Sequence, residues 1–443
     1  MKLFKALVIS VSFFLYSCSF DDKTGIWKNE NINVKKENEI FKEFEALTVS
    51  DKPFDEIIEL NSSTKILFEK PFRNISWKDI YFDQTNNYKN FKLTNNEEEF
   101  FKSKKIIRSE VNRFTLYEEE NLILTDIKGN LIVFSISRNK IISKFNFYKK
   151  KYKKNKKHLN VIVRKNIIYV ADNIGYLYAF DYKKNKIIWA KNYKIPFRSN
   201  FKIFKKNLII SNQNNDLIFF DIGTGDKIKL IPTEETTIKN QFKNNLAINK
   251  NILFYINTYG TLYAINNETK KVRWFINLNQ SLNLNPSSFF SGIEIITYRN
   301  KVIVSSNKHT YIIDSESGSI IHKKNFSLKL KPIAFNDYFL SLTNNNLLIL
   351  VNIKSGEIIY SYKILNEIKK ILKIKENSFN LNSFFIANNQ IYIFFNNNYI
   401  AKLNINGTLN EIIKLPSKLK SFPIIVDESI LYLNKKNRLI VFN

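Results

Sequence analysis

The chain has 443 residues, 44% of them apolar and 14% aromatic, enough to bury a large core and to exclude a globally disordered chain. One Cys and three scattered His (His158, His309, His322) exclude an intrachain disulfide, thiolate-held zinc or iron–sulfur clusters and a histidine metal cluster. The 69 Lys and Arg against 40 Asp and Glu give a formal charge of +29, but the lysines are dispersed among Asn and Ile as in a compositional bias. No helix-turn-helix, RNA-recognition or zinc-finger pattern accompanies the charge, so no nucleic-acid partner is expected.

The first residues read as an address. Met1–Lys5 is a short basic start, Ala6–Leu15 is an apolar run broken only by Ser10 and Ser12, and Tyr16-Ser17-Cys18 follows. A basic head, a short apolar stretch and a small residue before the cut describe a signal peptide over residues 1–17, too short for a comfortable membrane span. The only Cys stands at the expected cut. This resembles a bacterial lipoprotein signal, which implies lipidation of Cys18 and firm anchoring, each buried methylene contributing about 0.8 kcal/mol. Ser19, where an Asp would retain the protein at the inner membrane, favours the outer membrane. Residues 18–100 are expected to be a tether and ring-packing extension. Asp21–Glu39 is polar, and Ile40, Phe41, Phe44 and Leu47 share one face of a short predicted helix. Asn74-Ile75-Ser76-Trp77 and the Asn-rich stretch to Phe91 are expected to lie against the surface of the domain that follows.

From about Asn121 one unit recurs: a short apolar strand, a turn, an apolar strand ending in Asp or Asn, a polar turn, and another apolar strand. The copies at 167–189 and 252–274 are the clearest. One core position tracked through the copies falls at Phe134, Phe180, Phe220, Ile265, Ile313, Leu350, Leu403 and Phe442, on average 44 residues apart. A period of that length, filled with short β-branched and aromatic runs rather than three-and-four spacing, predicts a β-propeller. Gly223-Thr224-Gly225, Ser317-Gly318, Ser355-Gly356 and Asn406-Gly407 supply the turns between third and fourth strands. In the second unit strands are expected near 160–164, 167–172, 176–181 and 187–193, with Trp189 and Trp274 packing between blades. The last unit supplies three strands, near 423–426, 430–434 and 439–442, and then the chain stops. The fold class expected is therefore all-β: an eight-bladed propeller of four-stranded antiparallel blades over 101–443, closed by an N-terminal strand, at Lys104–Ser109 or Thr64–Glu69.

The blade endings Ala179-Phe180-Asp181 with Trp189, Asp221 with Thr224-Gly225, and Ala264-Ile265-Asn266 with Trp274 resemble the PQQ-like, quinoprotein-type propeller repeats. Later blades keep Ser-Gly and lose the Trp. Together with the lipoprotein signal and eight blades, the chain resembles the BamB-type lipoproteins of the outer-membrane β-barrel assembly machinery. The resemblance implies a non-enzymatic scaffold without a cofactor, on the periplasmic face of the outer membrane. Its partner would be the periplasmic domains of the central barrel-assembly subunit. The family's contact loop after the Trp of a middle blade matches Pro196, Phe197, Arg198 and Ser199, in which Pro stiffens the loop, Phe offers apolar area and Arg can fork onto a carboxylate. Where the family has a second, acidic contact this chain has Asn240-Gln241-Phe242-Lys243, so that contact is not carried over.

Catalytic alternatives are thin. A quinoprotein dehydrogenase holds its quinone between a Trp and, in many members, a vicinal disulfide, beside Ca²⁺; one Cys and no acid-rich Ca²⁺ loop count against it. His309 and Asp314 lack a nucleophile elbow. The carboxylate pairs in Glu118-Glu119-Glu120 and Glu234-Glu235 read as exposed loops rather than glycosidase acids. A third reading, a propeller that binds a polyanionic envelope ligand, rests on the basic run Lys149–Lys157, which falls between the first two blades. No catalytic or metal-binding residue is assigned.

Overall fold

The computed structural model describes residues 52–94, 96–148, 152, 154–235, 243–279, 290–373 and 380–443, and the backbone of two short strands before them. The chain divides into two compact units, 1–52 and 53–443. In the first, Cys18–Phe20 pairs antiparallel with Trp27–Asn29; the expected signal peptide and the helix expected around Ile40–Leu47 lie outside the described residues.

The second unit is an eight-bladed propeller. Seven blades are four-stranded meanders in chain order: I (116–146), II (159–192), III (202–231), IV (245–277), V (296–324), VI (333–362) and VII (381–414). Blade II consists of Leu159–Arg164, Ile167–Asp172, Tyr176–Asp181 and Lys186–Asn192, within a residue or so of the expected strands. Inner strands of successive blades touch one another, as those of II and I do, so the first strand of each blade lines the channel. Blade VIII takes Ile424–Val426, Ser429–Leu433 and Leu439–Phe442 from the chain end and its outer strand from Glu99–Lys102. The ring is thus closed by an N-terminal strand, slightly upstream of the expected one. Lys104–Ser109 instead turns round the end of this blade, the Ile106 N–H donating to Asn437 O at 3.0 Å. Thr64–Glu69 runs over blades V and VI, where Asn336 donates to Leu67 O at 2.8 Å.

Each blade has a bulge between its third and fourth strands, leaving one residue of the outer strand unpaired, such as Ile188 in blade II or Ile228 in blade III. It falls at seven of the eight tracked core positions, and in blade VI at Val351 rather than Leu350. Both residues are fully buried, so hydrophobicity could not set that register.

The residue after the bulge latches one blade to the next. The Trp189 ring lies on Gly225, where a Cβ would come within 2.4 Å of it, and its indole N–H donates to Ile222 O at 3.1 Å. Trp274 does the same on Gly318, donating to Ser315 O at 3.2 Å. Where the Trp is lost, His322 lies on Gly356 and donates to Lys354 O at 2.7 Å, and Tyr360 donates to Ile405 O at 2.9 Å. The helix α1 (Ile364–Leu372), which sequence did not suggest, fills the connection from blade VI to VII and buries Ile364, Leu365 and Ile368.

The N-terminal extension does more than lie on the surface. Residue Ile58 pairs with Ser361 and covers the edge strand of blade VI. Residues 74–94 then enter the channel and bond to every blade in turn. Trp77 pairs with Tyr117 of blade I and Asp79 with Ile162 of blade II. The Gln84 side chain donates to Ile203 O of blade III, and Asn86 donates to Leu246 O of IV and Ile295 O of V. Asn87 exchanges two hydrogen bonds with Ala334 of VI, Asn90–Phe91 runs parallel to Ile386–Ala387 of VII, and Asn74 donates to Ile425 O of VIII. Unpaired backbone groups of eight inner strands need partners, and an Asn-rich chain supplies both donors and acceptors.

Candidate functional site: a cation-lined channel mouth

The plug seals one end of the channel with aromatic rings and a buried ion pair. Trp77, fully buried, lies within 5.0–6.2 Å, ring to ring, of Phe82, Tyr88, Phe91 and Phe385. Lys202, also fully buried, donates to Asp79 Oδ2 at 2.6 Å, and to Asp83 O and Asn86 Oδ1 at 2.7 Å. All three ammonium hydrogens are therefore used.

Above the plug lies a cavity of about 790 Å³, lined by the connectors that lead into the inner strands. Its cations are Arg113, Lys156, Lys243, Lys329, Lys331 and Lys420, with His158; its acids are Glu110 and Glu294. One acid is spent, since Glu110 pairs with Lys420 at 2.8 Å. Among the described residues no carboxylate pairs with Lys156, Lys243, Lys329 or Lys331. The floor is aromatic. Tyr81 meets Phe114 edge-on at 5.7 Å, Phe114 meets Phe422 at 5.5 Å, and the Arg113 guanidinium stands 5.6 Å from both Phe rings.

Crowding and burial show in the titrating groups. Burial lowers the Lys331 pKa to about 7 against the pull of Glu294, and its ammonium sits 3.4 Å above the Tyr88 ring centre. Partial desolvation at the channel mouth, then the charges of Arg198 and Arg113, lowers Lys243, although the residue stays exposed. His158 is lowered by burial and by Lys243 and Lys156. On blade VII, Asn382 and Ser383 belong to the cavity lining, with Asn382 donating to Asn396 Oδ1 at 2.9 Å.

The contact loop read from sequence borders this mouth but is not a free finger. Phe197 is 3% exposed and packs within 6.2 Å of Tyr193 and Phe220 in the core between blades II and III, so its ring is not an exposed anchor. Ser199 is buried, donating to Asn200 O and accepting from the Ser211 N–H. Pro196 and Arg198 remain partly exposed, and burial lowers the Arg198 pKa. Cys18 belongs to the first unit. Of the basic run, Lys156 lines the cavity and Lys157 is buried under Tyr148, while 149–151 and Lys153 lie outside the described residues. His309 and Asp314 form no relay, because Asp314 pairs with Lys301 and caps its own turn. Glu118, expected in an exposed loop, is buried and bonds Asn166 N and Tyr182 OH across the seam to blade II. Sequence reading missed Arg113, Lys243, Lys329, Lys331 and Lys420. The signal was a cation recurring two to four residues before an inner strand, visible only once the inner strands are known.

A family model described as outer membrane protein assembly factor BamB matches residues 234–443. The solved BamB from Moraxella catarrhalis superposes with a TM-score of 0.60 at 12% identity, covering 77% of this chain and 98% of that one. The chain is a BamB-like propeller of PQQ-type repeats. The same fold is shared by quinohemoprotein alcohol dehydrogenase from Comamonas testosteroni (TM-score 0.60, 10% identity, 84% and 81% covered). It is shared too by a europium-containing methanol dehydrogenase (0.57, 11%, 83% and 89%). These likenesses concern the fold alone. None of the curated proteins matches the chain in sequence. The BamB-like ring carries its Trp latches on two blades and replaces them with His322 and Tyr360 on two more.

Proposed function

We propose that the protein is a non-enzymatic scaffold for outer-membrane protein assembly, held by lipid on Cys18 at the periplasmic face of the outer membrane. It would bind the periplasmic domains of the central barrel-assembly subunit. The match of residues 234–443 to the BamB family model carries this reading. One sequence feature favours a scaffold over a dehydrogenase of the same fold: a single Cys leaves no vicinal disulfide to hold a quinone.

The docking element proposed is the loop of Pro196, Phe197, Arg198 and Ser199. With Phe197 and Ser199 pinned inside, Pro196 and Arg198 are presented on a stiff base, which limits the entropy lost on binding. The test is calorimetric titration of the full chain with the partner's periplasmic domains, at physiological and at high salt, beside Arg198→Glu. Saturable binding that survives salt and weakens at least about tenfold in the variant is expected. Absence of binding, or equal binding to unrelated acidic proteins, overturns the reading. For the anchor, Cys18→Ser is expected to release the protein from membranes and to abolish incorporation of labelled palmitate.

A further inference from the structure

The open end of the channel has the properties of a built site rather than of surplus charge. Its cations are collected from blades I, II, IV, VI and VIII, which are distant in sequence and converge only in the ring. Its volume falls within the roughly 300–1,000 Å³ usual for ligand sites, and the plug closes its lower end. Cations lining a low-dielectric concavity focus their field outward and draw in anions.

One further feature narrows the ligand's chemistry. The floor of Phe114, Phe422, Tyr81 and Tyr88 offers a surface for an apolar or aromatic side chain. A polyphosphate chain brings charge alone. A polypeptide brings carboxylates through Asp and Glu, and aromatic rings on the same chain.

We propose that the open channel mouth binds an acidic polypeptide segment carrying aromatic side chains, its carboxylates held by Lys156 and Lys243 and its rings laid on the aromatic floor. The low pKa of Lys331 agrees with this: a carboxylate arriving above it would favour its charged form. The inference rests on the cations of the channel mouth, which the docking loop borders through Ser199, and it does not depend on the identity of the assembly partner.

The test is fluorescence anisotropy of the full chain with a labelled decapeptide of alternating glutamate and tyrosine. A peptide with glutamine in place of glutamate and inorganic polyphosphate of equal charge serve as comparisons. The acidic peptide is expected to bind at least about tenfold more tightly than the glutamine peptide, and to lose at least about tenfold in Lys156→Glu/Lys243→Glu. Acetylation footprinting of the unmutated protein keeps the test independent of how the variant folds. Bound peptide should shield Lys156 and Lys243 and leave Lys354, exposed in the turn between the third and fourth strands of blade VI, reactive. Polyphosphate that competes as well as the peptide would reduce the site to a general polyanion sink and overturn the proposal. So would binding that the double substitution leaves unchanged, or peptide that shields neither lysine.

Discussion

The two ends of the central channel are made from the same eight inner strands, but they are finished differently. At the plugged end the fully buried Lys202 has three acceptors and lies against Asp79, and aromatic rings fill the remaining space. At the open end four lysines lack a carboxylate partner among the described residues. The first arrangement lowers the free energy of the fold. The second leaves cations without a counter-charge, as a surface kept for an anionic ligand does; unsatisfied buried atoms do not separate the ends, since Trp77 Nε1 and Gln84 Oε1 in the plug also lack partners among the described residues. On the reading proposed above, the two ends of the channel divide stability from recognition.

That contrast can be broken most forcefully at the plug. Trp77→Ala should lower the unfolding free energy by about 3–5 kcal/mol in urea titration, since a fully buried indole is removed from an aromatic cluster. Asp79→Ala leaves Lys202 buried and unpaired and should cost a similar ~3–5 kcal/mol. Adding Lys202→Met in the same chain should recover much of that loss; a double variant no better than the single would show that the ion pair is not the source.

A smaller effect separates the two ends by pH. Burial holds Lys331 at about 7 in the folded protein, against the ordinary 10.5 of the unfolded chain. Between those values the unfolded chain binds the extra proton, so this residue makes stability rise with pH from about 7 upward, and it adds no pH dependence below that. Relative to Lys331→Met, the native chain should gain roughly 2 kcal/mol between pH 7 and pH 9. A flat difference across that interval would mean that Lys331 stays charged when folded. Smallest of all, Glu110→Gln should leave the urea midpoint unchanged. It should tighten binding of the acidic peptide, because it frees Lys420.

Much of the ring was legible beforehand. The period, the turn glycines and the missing last strand gave eight blades, strand positions within a residue or so in blade II, and N-terminal closure. The register of blade VI was not legible, because Leu350 and Val351 are equally apolar and equally buried. Nor was the fate of the lost tryptophans, since His322 and Tyr360 carry no repeat signature until their hydrogen bonds to the next blade are seen. The position of Phe197 was not legible either: its ring lies in the core between blades II and III, which only the packing of Tyr193 and Phe220 around it reveals.

Alternation along strands and glycine at turns are local properties, fixed by side-chain direction and backbone sterics, so the sequence by itself determined a repeating all-β chain, its unit and its count of blades. The plug and the cation-lined mouth depend on contacts such as Asn74 with Ile425, 351 residues apart. Only closure of the ring decided them, because the pairing needs of inner strands and the meeting of like charges arise from which distant segments share the central axis.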